Sequence, residues 1–521
     1  MTASAGPRVR YDGDALVRIP IGTDTGSARS PDALTAMGLD VLSEHPHDDA
    51  LVRVPAVAKA WLDMSGLAYA VVDPDLQATL DDEHARLLAR PPATGSGSAD
   101  FYDDFRELDV VLAHLDAVAA AAPGLVTVVE LGESLQGRPI RGLRITRDEH
   151  LPVVVINGCQ HAREWLTVST TMFIAEALAA PRGLAESDPG DEGSVLNRMG
   201  FVVVPVVNPD GYVRTWEEDR LWRKNVRDGH GVDLNRNWGV AWGGPGSSGN
   251  PQSNNYRGTA PFSEPEAAAL RDLLQSESRL VAHLDVHAYG QLVLYPWGFA
   301  TEIAPDAPLL SDLADLVAQT LTDTNGHVYE PLQAADFYAA SGNLPDWVYG
   351  DLGARSFTIE ARPDDAKNGA GFVPAPAQIR PTAAEVLAAT VALAEWAADA
   401  EPGEPGDDGD APDRDDSTEP ETSTGAASES GGSSSGSDST STGAISEPTP
   451  DGPTDDPGSD GTAGSSGEPG AMGGDDGCTC RASPDGGPTG FGLWLLVAGL
   501  VRRRRAVRRT AATRTSRHTA E

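Results

Sequence analysis

The residues of this sequence that could do chemistry follow apolar runs that predict buried strands. His161 and Glu164 lie three residues apart after a strand that ends at Asn157, and at that spacing both can reach one metal ion. A histidine from the segment 280–287 would complete a set of two histidines and one carboxylate, which is the usual arrangement at catalytic zinc. Open α/β sheets bind ligands at the carboxyl ends of their strands, so we expect the two segments to meet there.

The segment 280–287 offers two histidines for that set. Period two places His283, Asp285 and His287 on one face of the predicted strand. A histidine inside a sheet is also often a hydrogen-bonded core side chain, and we interpret His283 in that way. Cys159 is interpreted as a small buried side chain, because the set is complete without it.

Glu360 ends a third apolar run. A carboxylate at the end of a buried strand could be the general base toward a water molecule that a metal activates. It could instead form a structural ion pair with Arg355 or Arg362.

Residues 100–398 show the alternation of helices and strands that indicates an α/β domain. Two runs are continuously apolar, as in strands buried on both faces, so we expect a mixed sheet with helices on both of its faces. The predicted strands are 125–131, 139–146, 152–157, 201–207, 280–287 and 354–359. The predicted helices are 108–121, 167–180, 264–275, 309–322 and 382–400.

Residues 9–90 predict a small α+β module that precedes this domain. We expect strands at 15–21, 51–55 and 67–72 and helices at 30–38 and 56–63. The segment 91–99 is a linker rich in proline, glycine and serine. Arg90, at its start, could be cut by a protease.

Composition separates the C-terminal part from the rest of the 521-residue chain, whose formal net charge is −39. Residues 401–477 hold 20 acidic residues against Arg414 and almost no large apolar side chain, so we expect a disordered linker. The remainder is still acidic, which argues against nucleic acid as a partner. Three cysteines exclude a disulfide-rich scaffold and a cysteine-based zinc finger.

The segment 478–505 combines Cys478 and Cys480, an apolar run at 491–501 and four consecutive arginines. The run is shorter than the ~20 residues of a full membrane span, and the arginines would hold the C-terminus in the cytoplasm. The arrangement resembles the C-terminal sorting tails of myxobacterial surface proteins, with a simple single-pass anchor as the alternative. Both predict an extracellular protein, attached to the cell surface or secreted after the tail is processed. The N-terminus shows no signal peptide, which we attribute to a start assigned too late.

Seven motifs in order resemble the zinc metallocarboxypeptidases of the carboxypeptidase A/B type. Residues 9–90 resemble the activation propeptide of that family, so the resemblance implies a zymogen. The motifs are 161–165 (HAREW), 208–211 (NPDG), 220–225 (RLWRKN), 231–238 (GVDLNRNW), 287–289 (HAY), 295–298 (YPWG) and 357–360 (FTIE).

The resemblance implies one zinc ion and a catalytic set for peptide hydrolysis. The metal ligands fall on His161, Glu164 and His287, and Asp233 falls where a carboxylate orients the first histidine through its other nitrogen. The general base falls on Glu360. By the same resemblance, Arg223 falls on the arginine that stabilises the oxyanion.

The resemblance also implies an exopeptidase that reads the free C-terminus of a peptide. Asn235 and Arg236 match the family's carboxylate clamp, and a planar bidentate cation suits that ligand. Tyr338 matches the mobile tyrosine that closes over the substrate, and Arg163 an arginine that contacts it further upstream. Pro345 takes the place at the bottom of the side-chain pocket where an aspartate would select basic residues. We therefore expect preference for neutral aromatic or aliphatic C-terminal residues.

Two other functions compete with this one. A related zinc amidase would act on cell-wall peptides, and a non-catalytic surface module would keep the fold for binding. The clamp argues against the first alternative, and the complete set of ligands with Glu360 argues against the second. The expected partners are peptide or protein substrates with a free C-terminus and, through the tail, a membrane or cell surface. We expect a monomer.

Overall fold

The computed structural model describes residues 8–20, 34, 37, 39–42, 49–90, 101–180, 195–363 and 371–400. The predicted linkers 91–99 and 401–477, the tail 478–505 and most of the predicted helix 30–38 lie outside these residues. Within the described ranges, no helix has both the length and the apolarity needed to cross a bilayer.

In its described residues, the N-terminal module combines an antiparallel four-stranded sheet with helices, which agrees with the predicted α+β module. Buried side chains of the sheet, such as Ile19 and Val52, pack on Leu62 of the first helix. The strands, in the spatial order β2-β3-β1-β4, are β1 (Ala15–Pro20), β2 (Asp40–Val41), β3 (Asp49–Val54) and β4 (Ala70–Asp73). The helices are α1 (Ala56–Met64) and α2 (Leu76–Ala89).

The second helix of the module, which the sequence analysis did not predict, ends just before the predicted linker. It begins at an Asp75 cap, whose side chain accepts the Ala78 N–H, and it ends at Ala89. Arg90, predicted as a protease site, is held by Glu107 of the next domain through an Nη2 to Oε2 distance of 2.8 Å. Its side chain is paired and only 16% exposed, so Arg90 is poorly accessible to a protease.

The larger domain contains an eight-stranded mixed sheet in the order β11-β10-β12-β9-β7-β8-β6-β5. Its strands are β5 (Val126–Glu133), β6 (Pro139–Ile145), β7 (Val153–Gly158), β8 (Gly200–Val204), β9 (Leu280–Ala288), β10 (Leu292–Tyr295), β11 (Glu330–Gln333) and β12 (Arg355–Ala361). Its helices are α3 (Leu108–Ala121), α4 (Trp165–Ala179), α5 (Pro209–Glu217), α6 (Pro265–Ser276), α7 (Ala307–Asn325), α8 (Ala334–Phe337), α9 (Leu344–Leu352) and α10 (Ile379–Asp399).

Helices cover both faces of this sheet, as the continuous apolar runs predicted. Val154 and Ile156 of β7 belong to the core beneath α3, α4, α7 and α10. Val153 and Val155 of the same strand face the opposite core, beneath α6 and α9. The alternation follows from the period of two of a strand, and it confirms the predicted α/β class with helices on both faces.

The central strands β8-β7-β9-β12 run parallel to one another. Their carboxyl ends therefore lie at the same edge of the sheet. In the β9-β12 pair, Glu360 lies beside His287 in register. This pairing brings two of the chemically interesting segments together.

Candidate metal centre and catalytic site

The turn between β7 and α4 carries the first two residues of the predicted metal set. Cys159 leaves the strand with a φ of 56°, in the left-handed region, which turns the chain sharply toward the helix. His161 follows, and Glu164 takes the position before the first turn of α4. The His161 Nδ1 to Glu164 Oε1 distance is 2.7 Å.

The third member of the set comes from the end of β9. The His287 Nδ1 atom lies 3.2 Å from Glu164 Oε2 and 3.0 Å from His161 Nδ1. The three donor atoms lie within 4.8 Å of one another, and all three side chains are buried. The structure thus brings together the three residues that the sequence proposed as ligands.

The hydrogen bonds of the two rings show that this cluster suits a cation. His161 Nε2 lies 3.2 Å from Asp233 Oδ1, and His287 Nε2 lies 2.9 Å from Asp285 Oδ2. With a cation bound, each Nε2 would keep its hydrogen, because the carboxylate beside it only accepts, and each neutral ring would present its Nδ1 lone pair to the cation. Two lone pairs and a carboxylate then face one point, which is the donor set that zinc takes.

The charge of the cluster is reflected in its pKa values. Burial opposes ionisation of Glu164, but the neighbouring His161 and His287 outweigh it and lower the pKa of Glu164 to about 2. Burial disfavours a charged His287, yet Asp285 and Glu164 together raise its pKa well above the usual value. The site therefore holds Glu164 as an anion, ready for a metal.

Glu360 faces the cluster from β12, and the two arginines considered as its partners pair with other carboxylates. Arg362 pairs with Glu385, and the Arg355 Nη2 atom lies 3.4 Å from Asp306 Oδ2. Burial raises the pKa of the Glu360 carboxyl to about 7; His287 lowers it and Glu164 raises it. A carboxyl group whose pKa is near neutral pH is suited to accept a proton and to return it.

Arg223 is held at the same centre through Asp233. Its Nη2 and Nε atoms lie 2.9 Å and 3.3 Å from Asp233 Oδ2, while the other oxygen of Asp233 accepts from His161. Asp233 also caps the short 3₁₀ turn Leu234–Arg236 by accepting the N–H of Asn235. The buried Asp233 carboxylate thus holds the proposed ligand His161, the Arg223 guanidinium and the backbone of Asn235 in the predicted clamp.

The residues predicted to bind substrate, except Arg163, line one cavity beside Glu360. The cavity is lined by Asn235, Arg236, Tyr338, Pro345 and Glu360, together with Leu294, Tyr295, Pro296, Ala334, Ala340, Asn343, Asp346 and Thr358. The Arg236 guanidinium lies 5.5 Å from the centre of the Tyr338 ring. Burial lowers the pKa of Arg236 to about 10, which leaves it a cation at neutral pH. Pro345 lies in the first turn of α9.

Asp346 is a carboxylate in this lining that the sequence analysis did not single out. It accepts the N–H groups of Gly298 and Phe299 at 2.9 Å and 3.1 Å and the Asn343 amide at 2.7 Å. Burial raises its pKa to about 7. Its hydrogen bonds are thus taken up by the protein itself, and Asn343 caps α9 by accepting the Asp346 N–H.

Arg163 lies instead where the N-terminal module meets the larger domain. Its guanidinium carbon is 3.9 Å from the centre of the Phe372 ring. Phe372 packs with Leu221 against Leu42 and Leu51 of the module. This apolar contact adjoins the segment of Arg223.

A buried ion pair that sequence reasoning missed reinforces that contact. Arg220 Nε lies 2.7 Å from Glu83 Oε2 of α2, and its Nη2 donates to the Phe372 carbonyl at 2.6 Å. The side chains of Arg220 and Glu83 are 9% and 5% exposed. Asn254 also donates to Asp40 of the module at 3.1 Å.

Two residues near the centre are structural, as predicted. His283 bonds Ser356 Oγ through Nδ1 at 2.8 Å and Asn157 Oδ1 through Nε2 at 2.7 Å, which confirms its interpretation as a hydrogen-bonded core side chain. Cys159 is buried and free of any disulfide. Burial raises the pKa of its thiol well above the usual value, so it is protonated at neutral pH.

Comparisons with known proteins agree with this geometry. A family model described as zinc carboxypeptidase matches residues 111–389. Carboxypeptidase A2 of Rattus norvegicus is 35% identical over 352 residues, which is 65% of this chain and 82% of that protein. A protein of Ajellomyces dermatitidis named inactive metallocarboxypeptidase ECM14 is 31% identical over 445 residues, or 76% of this chain and 74% of that protein.

Solved structures show the same fold. The carboxypeptidase A from Helicoverpa armigera aligns with a TM-score of 0.66 and 30% identity, covering 75% of this chain and 99% of that one. Thrombin-activatable fibrinolysis inhibitor aligns with a TM-score of 0.66 and 25% identity, covering 74% and 99%. On the match of the family model and the identity to these relatives, the chain belongs to the zinc carboxypeptidase family.

Proposed function

We propose that this protein is a zinc-dependent metallocarboxypeptidase that removes C-terminal residues from peptides and proteins. The observation that carries the proposal is the convergence of two Nδ1 atoms and the Glu164 carboxylate within 4.8 Å, with Glu360 beside them in the strand register. The three proposed ligands leave one position open for a water or a substrate oxygen, as in other catalytic zinc sites.

His161, Glu164 and His287 would hold the zinc, which when bound supplies a Lewis acid that activates water and polarises a carbonyl. Glu360 accepts the proton of the attacking water and returns it to the leaving amine. Arg223, fixed by Asp233, stabilises the negative charge that develops on the carbonyl oxygen.

The clamp restricts this chemistry to the last peptide bond. Arg236 presents a buried guanidinium to the cavity, and Asn235 lies next to it, so together they would hold the terminal carboxylate. Tyr338, which lines the same cavity, would close over the chain end. This arrangement favours ordinary peptides with a free C-terminus over cell-wall amides.

The pocket suits a neutral side chain. Pro345 offers no charge, and Asp346 already accepts three protein donors. A lysine or arginine side chain would be buried there without a dedicated partner, at a cost of several kcal/mol. We expect peptides ending in Phe or Leu to be cleaved faster than peptides that differ only in a final Arg or Glu. Faster release of Arg would contradict the neutral pocket.

We propose that the N-terminal module is a propeptide. The contacts of Glu83, Leu42 and Leu51 with Arg220 and Phe372 support it, because they place the module on the segments next to Arg163 and Arg223. Cleavage between residues 91 and 100 would then release it. The C-terminal tail is proposed to attach a monomeric, exported enzyme to the cell surface.

A non-catalytic binding protein is the second candidate, because one relative of 31% identity is named inactive. In this chain the proposed ligands and Glu360 are all present and face one another, which favours an active enzyme.

Mass spectrometry of one peptide over time separates the two candidates. An active enzyme shortens it stepwise from the C-terminus, and a zinc chelator stops the reaction. Zinc bound at one equivalent without shortening would favour the binding protein.

A further inference from the structure

Both histidines of the proposed metal set are backed by a buried carboxylate. The resemblance to known carboxypeptidases implied such a role for Asp233 toward His161. Asp285 stands in the same relation to His287, with Oδ2 at 2.9 Å from Nε2. Asp285 is fully buried in β9, two residues before the ligand.

Two further hydrogen bonds hold the Asp285 carboxylate in place beside His287. Its Oδ2 also accepts Gln160 Nε2 at 2.7 Å, and its Oδ1 accepts Asn157 Nδ2 at 2.7 Å. In the described part of the chain, the only basic side chain within ion-pair distance of Asp285 is His287. An ionised carboxylate is costly to bury without a charged partner.

A purely structural group would not need a charge at this place. Asn157 is also hydrogen-bonded to His283, and His283 is hydrogen-bonded to Ser356. Both of these partners are neutral and buried in the sheet. His287 alone, among the groups that touch Asp285, has a second nitrogen directed at Glu164 and His161. The charge of Asp285 therefore acts toward the metal side of the ring.

We propose that Asp285 is a positioning residue that tunes metal binding by His287. Its carboxylate holds the hydrogen on Nε2, so that Nδ1 presents its lone pair to the metal, and it fixes the plane of the ring. A carboxylate acceptor also makes the imidazole a stronger ligand than a neutral acceptor would. This inference rests on the metal set proposed above.

The test compares zinc affinities of the full chain and of Asp285→Asn, which keeps the shape and removes the charge. Competition with a chromophoric chelator is expected to show a loss of about 10–100-fold in affinity, the range for partners of metal-bound histidines. The visible spectrum of the cobalt(II)-loaded variant is expected to shift, because the field of one ligand changes. Ser356→Ala is the matched control, since it disturbs the same buried network at His283.

The outcomes separate the alternatives. If Asp285→Asn binds zinc as tightly as Ser356→Ala and keeps the parental cobalt spectrum, Asp285 is only structural and the inference is wrong. If the parent chain itself binds no zinc, the metal set is wrong and the inference falls with it.

A second variant covers a failure of Asp285→Asn to fold, which the melting temperature of the metal-free protein detects. Gln160→Met removes the other donor to Oδ2 and leaves the charge in place. It frees the carboxylate to move away from His287, so it is expected to weaken zinc binding by a smaller factor than Asp285→Asn. Unchanged affinity would show that the placement of Asp285 does not control the His287 ring and would overturn its role as a positioning residue.

Discussion

Glu360 is the residue on which the proposed hydrolysis would depend. It faces the proposed ligands, and the two arginines considered as partners for it pair elsewhere. Glu360→Gln is expected to lower kcat by at least about 10²-fold, because a positioned general base contributes 10²–10⁴-fold. Zinc content, measured by elemental analysis, should not change.

Glu302→Gln, which alters an exposed carboxylate of the same domain, is the control for that experiment. Turnover by Glu360→Gln at the parental rate would show that another group moves the proton.

Glu266, in the first turn of α6, predicts a pH dependence of stability. It is fully buried, and burial raises its pKa from 4.5 to about 7, against hydrogen bonds from Asn225 and Leu135. Because the folded pKa is raised, the protonated form contributes stability below pH 4.5, and this contribution is lost as the pH rises through 7. The free energy of unfolding of Glu266→Gln minus that of the parent should therefore increase by roughly 3 kcal/mol when the pH is raised from 4.5 to 8.

Urea unfolding at both pH values measures this difference, with the exposed Glu217→Gln as control. An equal difference between Glu266→Gln and the parent at the two pH values would contradict the assignment.

At the residue scale, spacing predicted the metal set but not the groups that orient it. His161 and Glu164 are close in sequence, so their convergence could be read directly. Asp285 lies on the expected face of β9, yet two of its donors, Asn157 and Gln160, are about 125 residues away in sequence. Such contacts depend on strand order, which period-two patterns do not give.

At the level of elements, the loop around Gly246 supports the clamp. Gly246 has a φ of +77°, and a Cβ placed there would lie 1.6 Å from the Ala339 carbonyl oxygen. Its own carbonyl accepts Arg236 Nε at 3.0 Å. Gly246→Ala should therefore displace the segment directly after Tyr338 and the side chain of Arg236.

We expect Gly246→Ala to raise KM and to lower the free energy of unfolding by more than ~2 kcal/mol, from backbone strain and a steric clash together. Gly229→Ala is the control, because Gly229 has a φ of +76° with nothing within 4 Å, and it should cost only about 1–2 kcal/mol. Peptide kinetics and urea titrations provide both measurements. If both variants changed KM and the free energy of unfolding equally, the clash at residue 246 would not displace Arg236.

Periodicity predicted most of the long elements, but the 14-residue helix α2 and the short elements were missed. Helix α3 was predicted to the residue, and the strand cores of β7 and β9 were correct within one or two residues. The four-residue strands β10 and β11 are too short to show a period. Helices α5 and α9 were missed although each begins with a capping asparagine, Asn208 or Asn343, and an early proline.

For the whole molecule, the contact between the module and the catalytic domain predicts latency. We expect the full chain to hydrolyse a short C-terminal peptide slowly, and a chain cut between residues 91 and 100 to be faster once the module has left. Glu83→Gln should raise the activity of the uncut chain, because Arg220 loses its charged partner. Progress curves before and after limited proteolysis measure both effects.

The exposed pair of Lys59 and Asp63 offers a control, since Asp63→Asn removes a charged partner within the module itself. Equal activity of the cut and uncut chains would contradict a propeptide role.

The buried Glu83–Arg220 pair and the apolar contact around Phe372 have a consequence for the time course of activation. Both are non-covalent and survive the cutting of the chain, so the severed module stays bound until it diffuses away. Activity should then appear after a lag that shortens on dilution, and the isolated module added back should slow the mature enzyme.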